Sequence, residues 1–499
     1  MDSVHNTQTR AGRPVVAFER NASDASTRLS FEDGSFRDRT ARVFTDQHNV
    51  FRALSAEALA EWRKTCSLRF FNHLCQNGQV VGTSELPKDD WPENPPVGSW
   101  AGILRHQRIP FVTYPYEWSF SMLQDAALLH LEILGESIPE GIILKDSSPY
   151  NVQFIGSKPV FIDVASFVSM SFGEPWNGYQ QFCEMMLFPL LLQAYRSIDI
   201  QPTLRVKLDG ISAREFLRPL SWRDMLRPGV MIHGWLQAML EEKAGQFRTD
   251  TIDTLKSSGF DPHLILRNVQ KLTRLIRRLS WSPIANVWTG YRRDLPHVVQ
   301  DGQVKGEFVQ NICVTKRRKL VWDLGCNDGH FSKIAAEHAD CVIAMDRDHG
   351  CVERLYRSVR QEKLPNIVPL CIDLLNPSAA LGWRGRERKR LEHRGSPELI
   401  LCLGLIHHLV IAGNIPLPEV VDWLASLNAE IILEFPGKKD PMVQHLLRNK
   451  RDQYSDYSLS ALEDAARRCG FRIPRRIDLP SGERTLLMLT PDETTAGIP

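Results

Sequence analysis

The sequence predicts a two-part molecule: an α/β domain built on a largely parallel sheet over residues 305–499, preceded over 41–300 by an α+β unit that passes into helices. Three observations predict it. Strand-length apolar runs alternate with amphipathic runs after residue 318, and a glycine-bounded string rich in carboxylates follows the first of those strands. At 499 residues the chain also exceeds one ordinary core, since domains run to roughly 100–200 residues.

Composition excludes several classes. With 43% hydrophobic and 24% charged residues the chain is an ordinary globular one, so disorder is local. A net charge of +2 gives no global field toward nucleic acid or an anionic membrane. The ten cysteines contain no close CxxC pair, which argues against a metal or redox site and for buried thiols in a reducing compartment. The first residues carry no apolar core of a leader, and no stretch offers the roughly 18 uncharged apolar residues of a membrane helix. A cytoplasmic protein without a membrane partner is expected; oligomeric state is not legible.

Taken in order, residues 1–40 are rich in Ser, Thr, Arg, Asp and Asn without periodicity, and read as a flexible lead-in. Leu54, Leu59, Trp62, Leu68, Phe71 and Leu74 recur at helical spacing, whereas the proline-rich 84–100 reads as a boundary or long surface connection. Over 101–170, short strand-like runs surround the helix SFSMLQDAALLHLEIL. Residues 178–280 are mostly amphipathic helix, and LPHVVQDGQVKGEF (295–308) reads as a link to the next domain. Beyond it, strand and helix alternate from KLVWDLG to AEIILEF. The final pair, FRIPRRIDL and RTLLMLT, has no helix between its members and predicts an antiparallel last strand.

The most informative string is Asp323-Leu324-Gly325-Cys326-Asn327-Asp328-Gly329, where the first strand meets its helix. Gly325 allows a sharp turn and close ligand approach, and Gly329 allows close packing at the helix start. The spacing is G-x-x-x-G, and the nearby Asp323 and Asp328 repel a diphosphate. S-adenosylmethionine, cationic and without phosphate, suits such a turn. Asp346, ending the second strand, is placed to accept from both ribose hydroxyls, and Asp373, closing the third, from the adenine amino group.

In that order, DLGCNDG, AMD, CID and LGLIHHL resemble the successive motifs of class I, Rossmann-like S-adenosylmethionine-dependent methyltransferases. More narrowly, LGLIHHLVIAGNIPL and IILEFPGKKDP, with YPYEWSFSMLQDAALLHL, LKDSSPYNVQF and KPVFIDVASF, are similar to a bacterial methyltransferase group that includes the nodulation protein NoeA. That resemblance implies a shared architecture over nearly the whole chain and a link to host-specific nodulation. It supplies no defined substrate.

Methyl transfer gains much from holding the acceptor in attack geometry, and a base is optional. For a hydroxyl acceptor, His407 or His408 follows the fourth strand where the acceptor approaches. The other reading makes this pair a helix entry, one ring over the cofactor and the other satisfied by backbone. Glu434 either orients an acceptor or simply finishes the fifth strand. The absence of [DN]-P-P-[YF] after the fourth strand argues against adenine or glutamine nitrogen as acceptor. The basic run Arg384, Arg386, Arg388, Lys389, Arg390 and Arg394, with KRRK at 316–319, raises a nucleic-acid acceptor. With only Trp383 beside the run for stacking, a solvated basic face is the better reading.

In the first part, Asp146, Asn151 and Asp163 stand at a spacing that resembles kinase-like and aminoglycoside-phosphotransferase-like folds. There the first Asp positions the acceptor hydroxyl, while the Asn and second Asp hold magnesium. Leu144, Val164 and Ala165 depart from that pattern, and no glycine-rich phosphate loop precedes. A degenerate scaffold that binds substrate or a partner is therefore expected, or a chance match in an unrelated α+β fold. The whole reads as a methyltransferase acting on a small-molecule acceptor at oxygen, with no metal. The alternative is a kinase-like phosphotransferase or binding protein whose second domain senses cofactor.

Overall fold

The computed structural model describes residues 29–239, 261–283 and 296–492, apart from Val97, Phe172 and Asn449. Most of the expected lead-in and residues 240–260 of the expected helical stretch lie outside the described residues.

The first part opens with a five-stranded antiparallel sheet of β1 (Ser30–Phe31), β2 (Ala41–Thr45), β3 (Val50–Leu54), β4 (Thr83–Glu85) and β5 (Gly102–His106), in the order β1-β2-β3-β5-β4. The helical spacing around residues 54–75 resolves into α1 (Ala56–Cys66) and α2 (Arg69–Gln76), with Ser55 capping α1 through its side chain. The proline-rich segment is no domain boundary. It connects β4 to β5 within one sheet, where Leu86 N–H donates to Ile103 O at 2.8 Å.

Next come α3 (Phe120–Ser137), buried on nearly every side, and two short antiparallel pairs: β6 (Ile142–Leu144) with β9 (Phe167–Ser169), and β7 (Val152–Ile155) with β8 (Lys158–Phe161). Helices α4 (Phe188–Arg196), α5 (Gln201–Val206) and α6 (Pro262–Arg278) follow.

The expected link at 295–308 is instead most of α7 (Pro296–Cys313). Gly302 and Gly306 give it a linker's composition, but Phe308, Val309, Ile312 and Cys313 are buried at helical spacing, and that burial outweighs the glycines.

The second part is one seven-stranded sheet: β10 (Arg318–Leu324), β11 (Ala339–Asp346), β12 (Ile367–Cys371), β13 (Leu399–Cys402), β14 (Glu430–Pro436), β15 (Phe471–Asp478) and β16 (Arg484–Pro491). Its order is β12-β11-β10-β13-β14-β16-β15. β10 to β14 run parallel and β16 antiparallel to both neighbours, as the helix-free final pair predicts. Connections are α8 (His330–Ala336), α9 (His349–Glu362), α10 (Leu417–Ser426), α11 (Pro441–Leu447) and α12 (Leu459–Arg468). This is a Rossmann-like doubly wound sheet whose strand order reverses between β10 and β13, where ligands of such sheets bind.

Side chains alternate across the sheet. On one face Val321, Val342, Ala344, Leu399, Leu401 and Ile432 pack with Phe308, Val309 and Ala335 of α7 and α8. On the other, Leu320, Trp322, Ile343, Met345, Val368 and Leu370 share one core with Phe111, Trp118, Phe120 and Phe154 of the first part. Phe111 meets Trp322 edge-on at 6.0 Å, and Phe154 meets Tyr356 at 6.1 Å.

Among the described residues no α-helix joins β12 to β13. The connection carries the basic run, half of which is solvated as expected and half of which is drawn into an internal seam. Lys389 pairs with Glu32 at 2.6 Å, Arg386 with Asp33, and Arg388 lies 3.8 Å over the Tyr150 ring. Arg394 is fully buried and grips Glu117 through two bonds of 2.7 Å. Arg388, Lys389 and Arg394 form an internal seam, while Arg384, Arg386 and Arg390 are exposed. In the KRRK run, Arg318 is buried and pairs with Glu430 at 2.7 Å.

Candidate functional site

The sharp turn after β10 is held by its own backbone. Gly325 and Cys326 donate their N–H groups to Met345 O at 2.8 and 2.9 Å. Gly325 (φ 77°) and Gly329 (φ 76°) are both left-handed, and a Cβ on Gly329 would lie 2.3 Å from the Leu355 side chain. Asn327, also left-handed at φ 48°, donates its N–H to Asp346 Oδ2 at 2.8 Å, while Asp348 N–H donates to Asp346 Oδ1 at 2.8 Å.

Asp346 thus fastens the first turn to the end of the second strand, and each of its oxygens keeps a further lone pair. Burial raises its pKa above the ordinary carboxylate value. Asp323 is buried and accepts from Ser332 Oγ at 2.5 Å. Burial also pushes the Cys326 thiol well up, and the carboxylates of Asp346, Asp323 and Asp328 add to that. Asp373 is half-buried and closes a turn by accepting Leu375 N–H at 3.0 Å.

Across the strand-order reversal, His407 precedes a π-helical turn (His408–Ala412), a local irregularity common at functional positions. The His407 and His408 rings lie 4.1 Å apart. Burial, His408, Arg484 and Lys305 drive the His407 pKa well down, and burial with Arg347 and Arg484 takes His408 to about 4. Both imidazoles are neutral near neutral pH, and buried His407 Nδ1 has no hydrogen-bond partner among the described residues.

Glu434 is fully buried and accepts from Lys305 at 2.6 Å and Arg484 at 2.9 Å. Burial favours its neutral form, yet those two cations hold its pKa below the ordinary value. Glu434 is therefore engaged by cations.

No family model matches the chain. Nodulation protein NoeA of Rhizobium meliloti (strain 1021) is 33% identical over 469 residues, which cover 91% of this chain and 94% of that protein. The chain belongs to the NoeA family. Among solved structures, N-methyltransferase NodS from Bradyrhizobium japonicum WM9 matches at 10% identity over 39% of this chain and 97% of its own, with a TM-score of 0.28. Magnesium protoporphyrin IX methyltransferase from Synechocystis PCC 6803, with bound S-adenosylhomocysteine, matches at 19% identity over 46% and 100%, with a TM-score of 0.30.

In this NoeA-family chain the structure brings Asp323, Gly325, Asn327, Gly329 and Asp346 together at one turn, with Asp373 at the end of the adjacent strand. Sequence reasoning missed Lys305, Arg484 and Asp440. Lys305 was hidden in the glycine-laced segment, and Arg484 enters from the antiparallel strand, where it also pairs with Asp440 at 2.7 Å. The opposition of Arg484 to Pro436 was readable only from a strand register.

Asp146, Asn151 and Asp163 lie in the first part, between β6 and β9. Asp163 is ion-paired with Arg52 of β3 at 2.6 Å, so a guanidinium sits on the carboxylate to which the resemblance assigns magnesium. Burial and the nearby Asp163 raise the Asp146 pKa. Asn151 N–H donates to Ser148 O at 3.1 Å within a tight turn. Among the described residues no three His, Cys, Asp or Glu side chains gather as a metal site, and no helix is long and apolar enough to cross a membrane.

Proposed function

We propose that the chain transfers a methyl group from S-adenosylmethionine to the oxygen of a small-molecule acceptor, in a nodulation-related setting. The observation that carries this reading is the glycine-bounded turn at the C-terminal strand edge, which Asp323 and Asp328 flank in sequence and which Asp346 holds through Asn327 N–H. A diphosphate there would meet like charge, at about 4 kcal/mol per pair of charges 4 Å apart in a medium of effective dielectric 20. A cationic sulfur nucleoside meets attraction instead.

When bound, S-adenosylmethionine supplies an electrophilic methyl for in-line displacement. On this reading the remaining lone pairs of Asp346 would accept from the ribose hydroxyls and Asp373 from the adenine amino group, while the left-handed turn lets backbone approach the ligand. On the acceptor side, neutral His407 or His408 takes the hydroxyl proton as the oxygen attacks. Burial, with His408, Arg484 and Lys305, keeps His407 neutral, and Lys305 and Arg484 hold Glu434 ionised. That none of the ten cysteines forms a disulfide supports a reducing, cytoplasmic setting.

The kinase-like alternative is disfavoured by the Arg52–Asp163 pair. The test is incubation of the full chain with methyl-labelled S-adenosylmethionine and a small-molecule extract of its host cells. A labelled product one methyl heavier, bound through oxygen, is expected. Heat on titration with magnesium-ATP and none with S-adenosylmethionine would support the alternative.

A further inference from the structure

Two loops that would flank the adenosine part of the ligand are held by a single segment of the first part of the chain. Helix α5 is anchored in that part's core: Ile200 and Leu204 are buried, and Gln201 Nε2 donates to Trp118 O at 2.7 Å. From this anchored segment Asp199 reaches His349 at 3.1 Å, three residues beyond Asp346. Arg205 reaches the loop that follows Asp373. Its Nη1 donates to Asn376 O at 2.8 Å, and its Nη2 to Pro377 O at 2.6 Å and Asn376 Oδ1 at 3.2 Å. Ser378 of the same loop donates to buried Glu117.

We infer that Asp199 and Arg205 are positioning residues of the cofactor site: the first part of the chain fixes the loops bearing Asp346 and Asp373, and cofactor affinity depends on that grip. This rests on the reading of the turn as an S-adenosylmethionine site. Arg205 suits the role because its planar fork takes two successive carbonyls, a geometry that lysine cannot reproduce.

The experiment is calorimetric titration of the full chain with S-adenosylhomocysteine, with thermal melting of each ligand-free variant recorded alongside. Arg205→Ala weakens binding about tenfold and Arg205→Lys less than that, as expected for a coupled neighbour rather than a direct ligand. Because Arg205 acts through the loop of Asp373, the double variant Arg205→Ala/Asp373→Ala binds about as weakly as Asp373→Ala alone. Asp199→Asn, a change at a half-exposed side chain, weakens binding about threefold and serves where Arg205→Ala does not fold.

Unchanged affinity in Arg205→Ala and Asp199→Asn, or losses that multiply in the double variant, overturns the inference. If the unmodified chain itself gives no heat, the cofactor reading falls and the inference with it. If the unmodified chain binds and Asp346→Ala is impaired while the Arg205 and Asp199 variants match the unmodified chain, only the inference falls.

Discussion

The two faces of the C-terminal sheet are closed by different means. One face is covered by helices α7, α8 and α9, which lie next to their strands in sequence. The opposite face, over β10 to β12, is covered by residues more than 150 positions earlier, from Phe111 to Phe154. Local helices close a sheet with short-range contacts, whereas the far face needs a long connection to run back and be neutralised. The basic run between β12 and β13 does this, meeting Glu32, Asp33 and Glu117. The first part of the chain is thus a structural layer of the second.

That contrast breaks most readily at the seam. Arg394→Ala leaves Glu117 buried and without its guanidinium, and the loss is about 3–5 kcal/mol in denaturant unfolding of the full chain. A loss under about 1 kcal/mol would mean that the seam is a surface contact.

Catalysis comes next in size. If one of the two imidazoles is the base, His407→Ala or His408→Ala lowers turnover about 100-fold with S-adenosylhomocysteine affinity unchanged. Equal rates in both variants and the unmodified chain leave acceptor positioning as the explanation.

On the locally closed face, Gly329→Ala forces a left-handed φ on alanine and a clash with Leu355, costing about 1–3 kcal/mol in the same unfolding assay. An alanine variant as stable as the unmodified chain would mean that the turn relaxes.

The smallest effect is a pH dependence. The folded value of His408 is depressed to about 4, so its contribution to stability is complete above the unfolded value of about 6.5 and is lost as pH falls through 4. Melting temperature should drop over that window and drop less in His408→Gln. An identical drop in both would assign the dependence to other groups.

The same contrast explains what the sequence discloses. The turn from Asp323 to Gly329 is legible because its chemistry lies within seven consecutive residues and its strands are uninterrupted apolar runs. The antiparallel end of the sheet is legible for the same local reason. The Arg394–Glu117 pair spans 277 positions, and nothing near Arg394 distinguishes a buried guanidinium from a solvated one. Lys305 was hidden by two glycines in a helix that tertiary burial stabilises. The grip of Arg205 on Asn376 and Pro377 involves backbone carbonyls, which carry no sequence signal.

The most direct test of the carboxylate-lined turn is thermal melting of the full chain with S-adenosylmethionine and, separately, with NAD. S-adenosylmethionine at about a hundredfold excess over its Kd should stabilise the fold by about 2.7 kcal/mol, and NAD at equal concentration should leave the melting curve unmoved. Stabilisation by NAD with none by S-adenosylmethionine would contradict the account.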